Sequence, residues 1–248
     1  MTSWPDAARV LAKRFWPGPL TIVLPKAPGI ADLVTAGLPT VGVRVPNHPV
    51  ALALLRAVKV PLAAPSANRS MHVSPTMGDH VAASLGGAPD LILDAGPVAV
   101  GIESTVLDLS AGVPTVLRPG MISVDDLRHI LGRVEVAAAH VPDGVARPSP
   151  GMMDRHYSPE ATVRIVDTPN LASLAKKSTK AVVLARSAIA DSTLTVWSMP
   201  NSAAEYARLL YGMLHRADAE GFDTVIVEAV PADTAWDGVR DRLRRAAR

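Results

Sequence analysis

The chain has 248 residues, 48% hydrophobic and 19% charged, with a formal net charge of +2 and no cysteine. That length admits two ordinary domains and a sizeable core, and a mean hydropathy of +0.22 is too apolar for a disordered chain. Disulfides, thiolate metal sites and cysteine nucleophiles are excluded, and the small net charge means that any attraction to nucleic acid must come from a local patch, although the pI is about 9.1. The longest apolar runs, such as Val50 to Leu55, fall far short of a membrane span, and the amino terminus has no secretory pattern. The expectation is a soluble cytoplasmic protein with no membrane partner.

Ala7, Leu11 and Phe15 stand at helical spacing over residues 5–16, behind Ser3 as a cap, and Pro17-Gly18-Pro19 stops that helix. A strand-like run Leu20 to Leu24 follows, then a brief helical stretch around Ile30 to Val34, and a second strand-like run from Thr40 to Val45. Val50 to Val58 reads as a buried helix. Pro61 to Pro65 leads into Ser66-Ala67-Asn68-Arg69-Ser70, whose hydrogen-bonding side chains suit a loop. Ser74-Pro75 reads as the cap of a helix ending near Gly86-Gly87, and strands are expected at Leu91 to Leu93, Thr105 to Leu109 and Thr115 to Leu117. Ser123-Val124-Asp125-Asp126 and Gly132 bracket one more helix.

From Val134 to Pro159 no apolar period survives, and proline, glycine and charge gather in Pro142 to Pro159. Beyond this linker, strands at Val163 to Val166, Ala181 to Ala185 and Thr224 to Val227 alternate with helical stretches. Ser202 to Asp218 is the clearest of these, with Ser202 and Glu205 as a capping box. This alternation predicts a small parallel-sheet α/β domain.

Chemistry gathers in the first region. Arg44 lies between valines, where an unpaired guanidinium is costly to bury, so it should face solvent or meet an anion. Ser66, Asn68, Ser104 and Thr105 can each be read singly as turn or strand hydroxyls and amides.

Together, Trp16 to Pro19, Thr40 to Pro46, Ala63 to Asn68, Ser104 to Asp108 and Arg118 to Gly120 resemble, in order, the conserved-pattern segments of the YrdC-like domain. Ser149 to Pro159, with its Pro-Gly-Met and His-Tyr-Ser-Pro, resembles the segment joining that domain to the carboxy-terminal domain of the two-domain threonylcarbamoyl-AMP synthases. The resemblance implies an α/β fold: a partial YrdC-like twisted-sheet domain over residues 1–133, a linker over 134–160, and a small Rossmann-like α/β domain over 161–248. It implies a nucleotidyltransferase that makes threonylcarbamoyl-AMP and pyrophosphate from L-threonine, bicarbonate and ATP, with Mg2+ accompanying ATP. The product is the donor for tRNA N6-threonylcarbamoyladenosine, so tRNA-modification proteins that use it, and RNA, are the implied partners.

By the same resemblance Arg44, Ala64 through its backbone, and Ser104 hold threonine. Thr40, Ser66, Ser74, Arg118 and Tyr157 contact ATP, Ser66 and Asn68 form the catalytic Ser-x-Asn element, and no residue is assigned as a metal ligand. His156 reads as linker packing. The family also carries an upstream strand and a Lys-x-Arg element that this sequence does not include, so little synthase activity is expected of the chain alone. A non-catalytic RNA-binding or regulatory YrdC-like protein is the competing reading, disfavoured by the carboxylate clamp and the tyrosine. A carbamoyl-transfer module is disfavoured by the linker segment.

Overall fold

The structure is a computed structural model and describes residues 4–137, 157–171, 180–189 and 194–247. The chain divides into two compact units, one formed by Met1–Pro65 with Glu103–Met153, the other by Ser66–Ile102 with Asp154–Arg248. Ser3 and the linker residues 138–156, His156 among them, lie outside the described residues.

Unit 1 begins with helix α1 (Asp6–Phe15), followed by strand β1 (Leu20–Pro25), the single turn α2 (Asp32–Thr35), strand β2 (Thr40–Val43) and helix α3 (Pro49–Val58). Its sheet has the order β2-β1-β3-β4-β5, in which β3 (Thr105–Asp108), β4 (Thr115–Arg118) and β5 (Glu135–Val136) enter later in the chain. Leu20, Ile22 and Leu24 alternate onto one face of β1 and meet Ala8 and Leu11 of α1 and, from later in the chain, Leu107, Val116 and Leu127. Each such leucine, when fully buried, contributes about 1.5–3 kcal/mol. Gly18 follows the helix because a Cβ there would stand 2.2 Å from the Phe15 carbonyl oxygen. The expected burial of 50–58 is not met: α3 has no buried residue, and Val50, Leu54 and Val58 are all exposed. Its apolar sequence sets the helical hydropathy, but among the described residues nothing buries those side chains.

Residues 66–102 belong to unit 2 and contain one helix, α4 (Gly78–Leu85). Ser74 does not cap it; the cap position is Met77. The Thr76 N–H is taken by His80 Nδ1 at 3.2 Å, which moves the helix start downstream. Leu91 to Leu93 form no strand. Leu91 and Leu93 are exposed and have no neighbouring strand to pair with, while Asp94 turns the chain by accepting from Gly96 N–H at 2.9 Å.

The chain then returns to unit 1 with β3 (Thr105–Asp108), β4 (Thr115–Arg118), α5 (Val124–Leu131) and β5 (Glu135–Val136). Helix α5 is capped reciprocally: Ser123 Oγ accepts from Asp126 N–H at 3.0 Å, and Asp126 accepts from Ser123 N–H at 3.1 Å.

The rest of unit 2 holds β6 (Thr162–Val166), β7 (Ala181–Ala185), β8 (Thr195–Ser198), α6 (Ala203–Ala219), β9 (Thr224–Glu228) and α7 (Asp237–Ala246). All four strands are parallel, in the order β6-β9-β7-β8. β7 is buried along its whole length, as a strand covered on both faces must be. At the strand ends the buried Glu228 carboxylate accepts from Ser187 N–H, Ser187 Oγ, Arg186 N–H and Thr168 Oγ1. Burial pushes its pKa up, but these hydrogen bonds outweigh it and hold the group below the usual carboxylate range. The capping box expected at Ser202 is absent: its side chain makes no cap bond, and α6 is held instead by a buried face of Tyr206, Leu210, Tyr211 and Leu214. Among the described residues no helix is long and apolar enough to cross a membrane.

The two serines should therefore respond differently. Ser123→Ala is expected to cost about 1 kcal/mol, read as a lower midpoint in chemical unfolding, whereas Ser202→Ala should change stability by less than about 0.5 kcal/mol; equal losses would contradict the cap assignments. A second outcome follows from His80 and His215, whose rings stack with centroids 3.8 Å apart. Desolvation first, and His215 second, pull His80 down from 6.5 to about 4, against a smaller opposing pull from Asp79. The unfolded chain thus binds a proton at His80 that the folded chain resists, and stability should fall as pH drops from about 6.5 towards about 4. In urea unfolding at pH 7 and pH 5, His80→Phe should lose less stability across the interval than the unsubstituted chain.

Candidate active site

β1 carries two chemistries on alternate residues. While Leu20, Ile22 and Leu24 face the core, Thr21 faces the other way, and its hydroxyl is 2.7 Å from Ser104 Oγ. The parallel pairing of Leu20 with Thr105 sets these hydroxyls side by side. Ser104 in turn accepts from Arg118, its carbonyl from Nε at 3.2 Å and its hydroxyl from Nη2 at 3.2 Å.

Arg118 reaches that position through an irregularity. Leu107 pairs with Val116, but Val106 pairs with Arg118, so the register slips by one residue in β4. Such a bulge re-aims the following side chain, and here it puts the guanidinium on the Val106 and Ser104 face, away from the Val116 core. Gly120 closes the turn behind it: a Cβ there would lie 2.4 Å from Thr105 N and 2.8 Å from the Ser104 carbonyl carbon. Thr105 Oγ1 completes the clasp by donating to Ile122 O at 2.9 Å and accepting from Ile122 N–H at 3.1 Å.

Arg44 extends the same face. A Cβ on Gly42 would meet Thr21 Cγ2 at 3.1 Å and Val23 Cγ2 at 3.8 Å, so Gly42 shares the Thr21 face. The extended backbone continues to Val45, whose carbonyl accepts from Gly18 N–H at 2.9 Å, which carries Arg44 onto that face two residues on. Arg44 is exposed and has no hydrogen bond or ion pair among the described residues. By surface area it is open, yet enough protein surrounds the guanidinium for desolvation, and then Arg118, to lower its pKa from the ordinary arginine value. A cation that is partly desolvated and beside a second cation favours a bound anion. Thr40 is half-buried at the start of β2, and Ala64 is exposed near the end of this unit's first segment.

Ser66, Asn68, Ser74 and Tyr157 lie in unit 2. Ser66 is exposed. Asn68 folds its loop around its own amide: Nδ2 donates to Arg69 O at 2.8 Å and to His72 O at 3.0 Å. Both partners are carbonyls, so the amide orientation is unambiguous, and buried Oδ1 is left as an acceptor with no donor among the described residues. Arg69 N–H donates to Ser84 Oγ of α4 at 3.0 Å. Ser74 is buried, and its carbonyl accepts from His215 Nε2 at 3.1 Å. Tyr157 is 1% exposed, stacked on Tyr211.

The structure thus groups Thr21, Arg44, Ser104 and Arg118 in unit 1, and the Asn68 loop, Ser74 and Tyr157 in unit 2. Sequence reasoning passed over Thr21, whose signal was a lone hydroxyl alternating with Leu20 and Ile22. It also passed over His215, which carries no local signal because its partner Ser74 stands far away in the chain.

Residues 1–120 match a family described as Telomere recombination, which groups Sua5, YciO and YrdC proteins. Residues 122–248 match the family described as Threonylcarbamoyl-AMP synthase, C-terminal domain. The threonylcarbamoyl-AMP synthase of Pyrococcus abyssi is 38% identical over 253 residues, covering 98% of this chain and 74% of that protein. A crystal structure of P. abyssi Sua5 complexed with L-threonine has a TM-score of 0.90 at 37% identity, covering 99% of this chain and 75% of that one. A P. abyssi Sua5 variant with a histidine and a tyrosine replaced by alanine has a TM-score of 0.89 at 35% identity, covering 98% and 73%. With both family domains present in order and relatives aligned along nearly its whole length, the chain belongs to the two-domain threonylcarbamoyl-AMP synthases.

Proposed function

We propose that the chain works in the condensation of L-threonine, bicarbonate and ATP into threonylcarbamoyl-AMP and pyrophosphate, in the cytoplasm, for tRNA-modification proteins that use the product. In this nucleotidyl transfer an oxygen of the carbamate of threonine bonds to the α-phosphorus of ATP while the bond from that phosphorus to the bridging oxygen of pyrophosphate breaks. No covalent enzyme intermediate is needed. The demands are for positioned donors where charge grows and for a clamp that orients threonine.

The observation that carries this reading is the exposed Arg44 guanidinium, which has no acidic partner among the described residues and shares a sheet face with the Thr21–Ser104–Arg118 row. A planar fork of donors matches the two oxygens of a carboxylate, and the Ser104 hydroxyl and Ala64 backbone add neutral contacts for the rest of the amino acid. Arg118 and Thr40 serve the nucleotide. Because Arg118 spends Nε and Nη2 on Ser104, it also sets the geometry of the threonine side. In unit 2, Ser66 is the donor assigned to the reacting phosphate; Asn68, whose two amide hydrogens go to Arg69 O and His72 O, keeps its place in the catalytic Ser-x-Asn element by ordering that loop, while buried Ser74 and Tyr157 shape the loop further. The chain has a single adjacent His-Tyr pair, His156-Tyr157, and a replaced histidine and tyrosine in the P. abyssi variant draws attention to that position.

Mg2+ entering with ATP fits one feature of this chain, the buried Asn68 Oδ1 acceptor without a donor, since a hard cation takes oxygen ligands. It would neutralise phosphate charge, and Asn68 is the residue that would hold it.

Calorimetric titration with L-threonine tests the clamp. Arg44→Ala should weaken threonine by about 1.5–3 kcal/mol, roughly 10- to 100-fold, with ATP affinity unchanged, and Arg44→Lys should recover only part of the loss because an ammonium lacks the fork. Undiminished threonine affinity in Arg44→Ala would overturn the assignment. RNA binding with no response to threonine or ATP would favour the non-catalytic reading.

A further inference from the structure

Tyr157 is held in a backbone conformation that its residue type disfavours. Its φ is +61°, in the left-handed region, and Met71, whose carbonyl bonds to the residue after Tyr157, has φ +71°. Residues with a Cβ persist there only where their surroundings over-determine them. The two strained positions are joined: Ser158 N–H donates to Met71 O at 3.0 Å, and His72 and Ser158 form an isolated parallel bridge. One residue further, the His72 carbonyl accepts from Asn68 Nδ2 at 3.0 Å. A continuous set of contacts therefore runs from Tyr157 to the Asn68 amide, all within unit 2.

What holds Tyr157 comes from the two helices late in the chain. Tyr211 of α6 stacks on it, with ring centroids 5.7 Å apart and planes at 30°. The guanidinium carbon of Arg242, on α7, lies 5.3 Å from the centre of the Tyr157 ring. Arg242 has no exposed surface, and a guanidinium wholly out of water is costly unless its site is built for it. This one is built: Asp241 Oδ2 accepts from Arg242 Nη1 at 2.9 Å, and the same carboxylate accepts from Arg245 Nε at 3.0 Å and from Arg244 Nη2 at 3.1 Å. The ion pairs fix the cation while its planar face remains for the ring, and desolvation strengthens the attraction between them.

We infer that Arg242 is a positioning residue: by holding Tyr157 against Tyr211 it sets the left-handed turn at Tyr157, and through the Ser158–Met71 and His72–Asn68 hydrogen bonds it holds the Asn68 side chain in place. The carboxy-terminal helix thereby reaches the nucleotide side of the site without touching substrate. The local structural part stands on these contacts alone; the consequence for ATP rests on the proposed role of Asn68.

Hydrogen exchange on the full chain reads the structural part at two hydrogen-bonded amides, Ser158 and His72 (the latter to Arg69 O at 3.2 Å). Arg242→Met should speed exchange at both by roughly tenfold, the scale of one desolvated cation–aromatic contact, with β7 and β9 amides unchanged. Exchange at the unsubstituted rate would overturn the inference. If Arg242→Met loosens all of unit 2, Arg242→Lys decides, because it keeps a charge beside Asp241 and gives up only the planar contact. A local rise at the two amides then supports the inference, and no rise overturns it. Calorimetric titration with ATP reads the consequence: Arg242→Lys should weaken ATP several-fold and Asn68→Ala at least as much. If Asn68→Ala leaves ATP affinity intact, the reading of Asn68 fails while the exchange result stands. If Asn68→Ala weakens ATP but Arg242→Lys, with its exchange raised, does not, the link from the helix to the nucleotide is overturned.

Discussion

Unit 1 depends on the satisfaction of one buried cation. Arg118 is 7% exposed, and a guanidinium so placed must find acceptors or destabilise whatever surrounds it. It finds two on Ser104, and Ser104 then shares a hydrogen bond with Thr21. The ends of β1, β3 and β4 are thus tied by side chains as well as by their ladders, and the row stands on the face opposite the leucine core. The bulge in β4 and the absent Cβ at Gly120 are both consequences of bringing that arginine to that face. Arg44 lies on the same face and, unlike Arg118, is exposed.

Unit 2 handles its buried polar groups by two opposite routes. Charges that are kept are surrounded by donors or counter-ions: Glu228 by four hydrogen bonds, and Asp241 by arginines of its own helix. Burial raises the pKa of Asp241, but Arg242, then Arg245 and Arg244, outweigh it and hold it below the usual range. His80 and His215 take the other route: burial lowers the pKa of both, His80 to about 4, and so favours the neutral ring. Thr76 N–H needs the lone pair on His80 Nδ1, and His215 Nε2 donates to the Ser74 carbonyl. Between them these two rings hold the stretch from Ser74 to His80, next to the loop carrying Ser66 and Asn68.

The contact-based division and the family-based division of the chain follow different lines. The first family match runs through residue 120, yet residues 66–102 pack with the carboxy-terminal unit. The Ser-x-Asn loop is therefore written in one family's sequence while much of its support is supplied by α4, α6 and the Tyr157–Ser158 segment. This gives the carboxy-terminal region a physical relation to that loop although its own described polar residues form caps, carboxylate cages and ion pairs.

Much of this was legible in the residues alone. Alternation in Leu20 to Leu24, the β-branched runs at Thr105 and Thr224, and Ser123 with Asp126 each determine a local structure, because strand parity and helix caps are decided by neighbours within a few residues. The ordered Trp-Pro-Gly-Pro, Arg44, Ser-x-Asn, Ser-Thr-Val and Arg-Pro-Gly segments likewise pointed to the family. Where the sequence misled, a distant partner was the cause. Among the described residues, Leu91 to Leu93 have strand propensity but no strand to pair with, and Val50 to Val58 have a buried helix's composition but no buried residue; the missing cap bond at Ser202 is a local exception. The same reason hid Thr21's link to Ser104 across 83 residues, His215's bond to Ser74 across 141, and the burial of Arg242 beneath Tyr157. Propensity and caps act over one turn of chain, whereas desolvation and the pairing of buried polar groups depend on what folding brings alongside. The sequence by itself therefore determined the elements and the family, and tertiary structure alone decided which arginines, Arg118 and Arg242 among them, are held inside while Arg44 stays exposed.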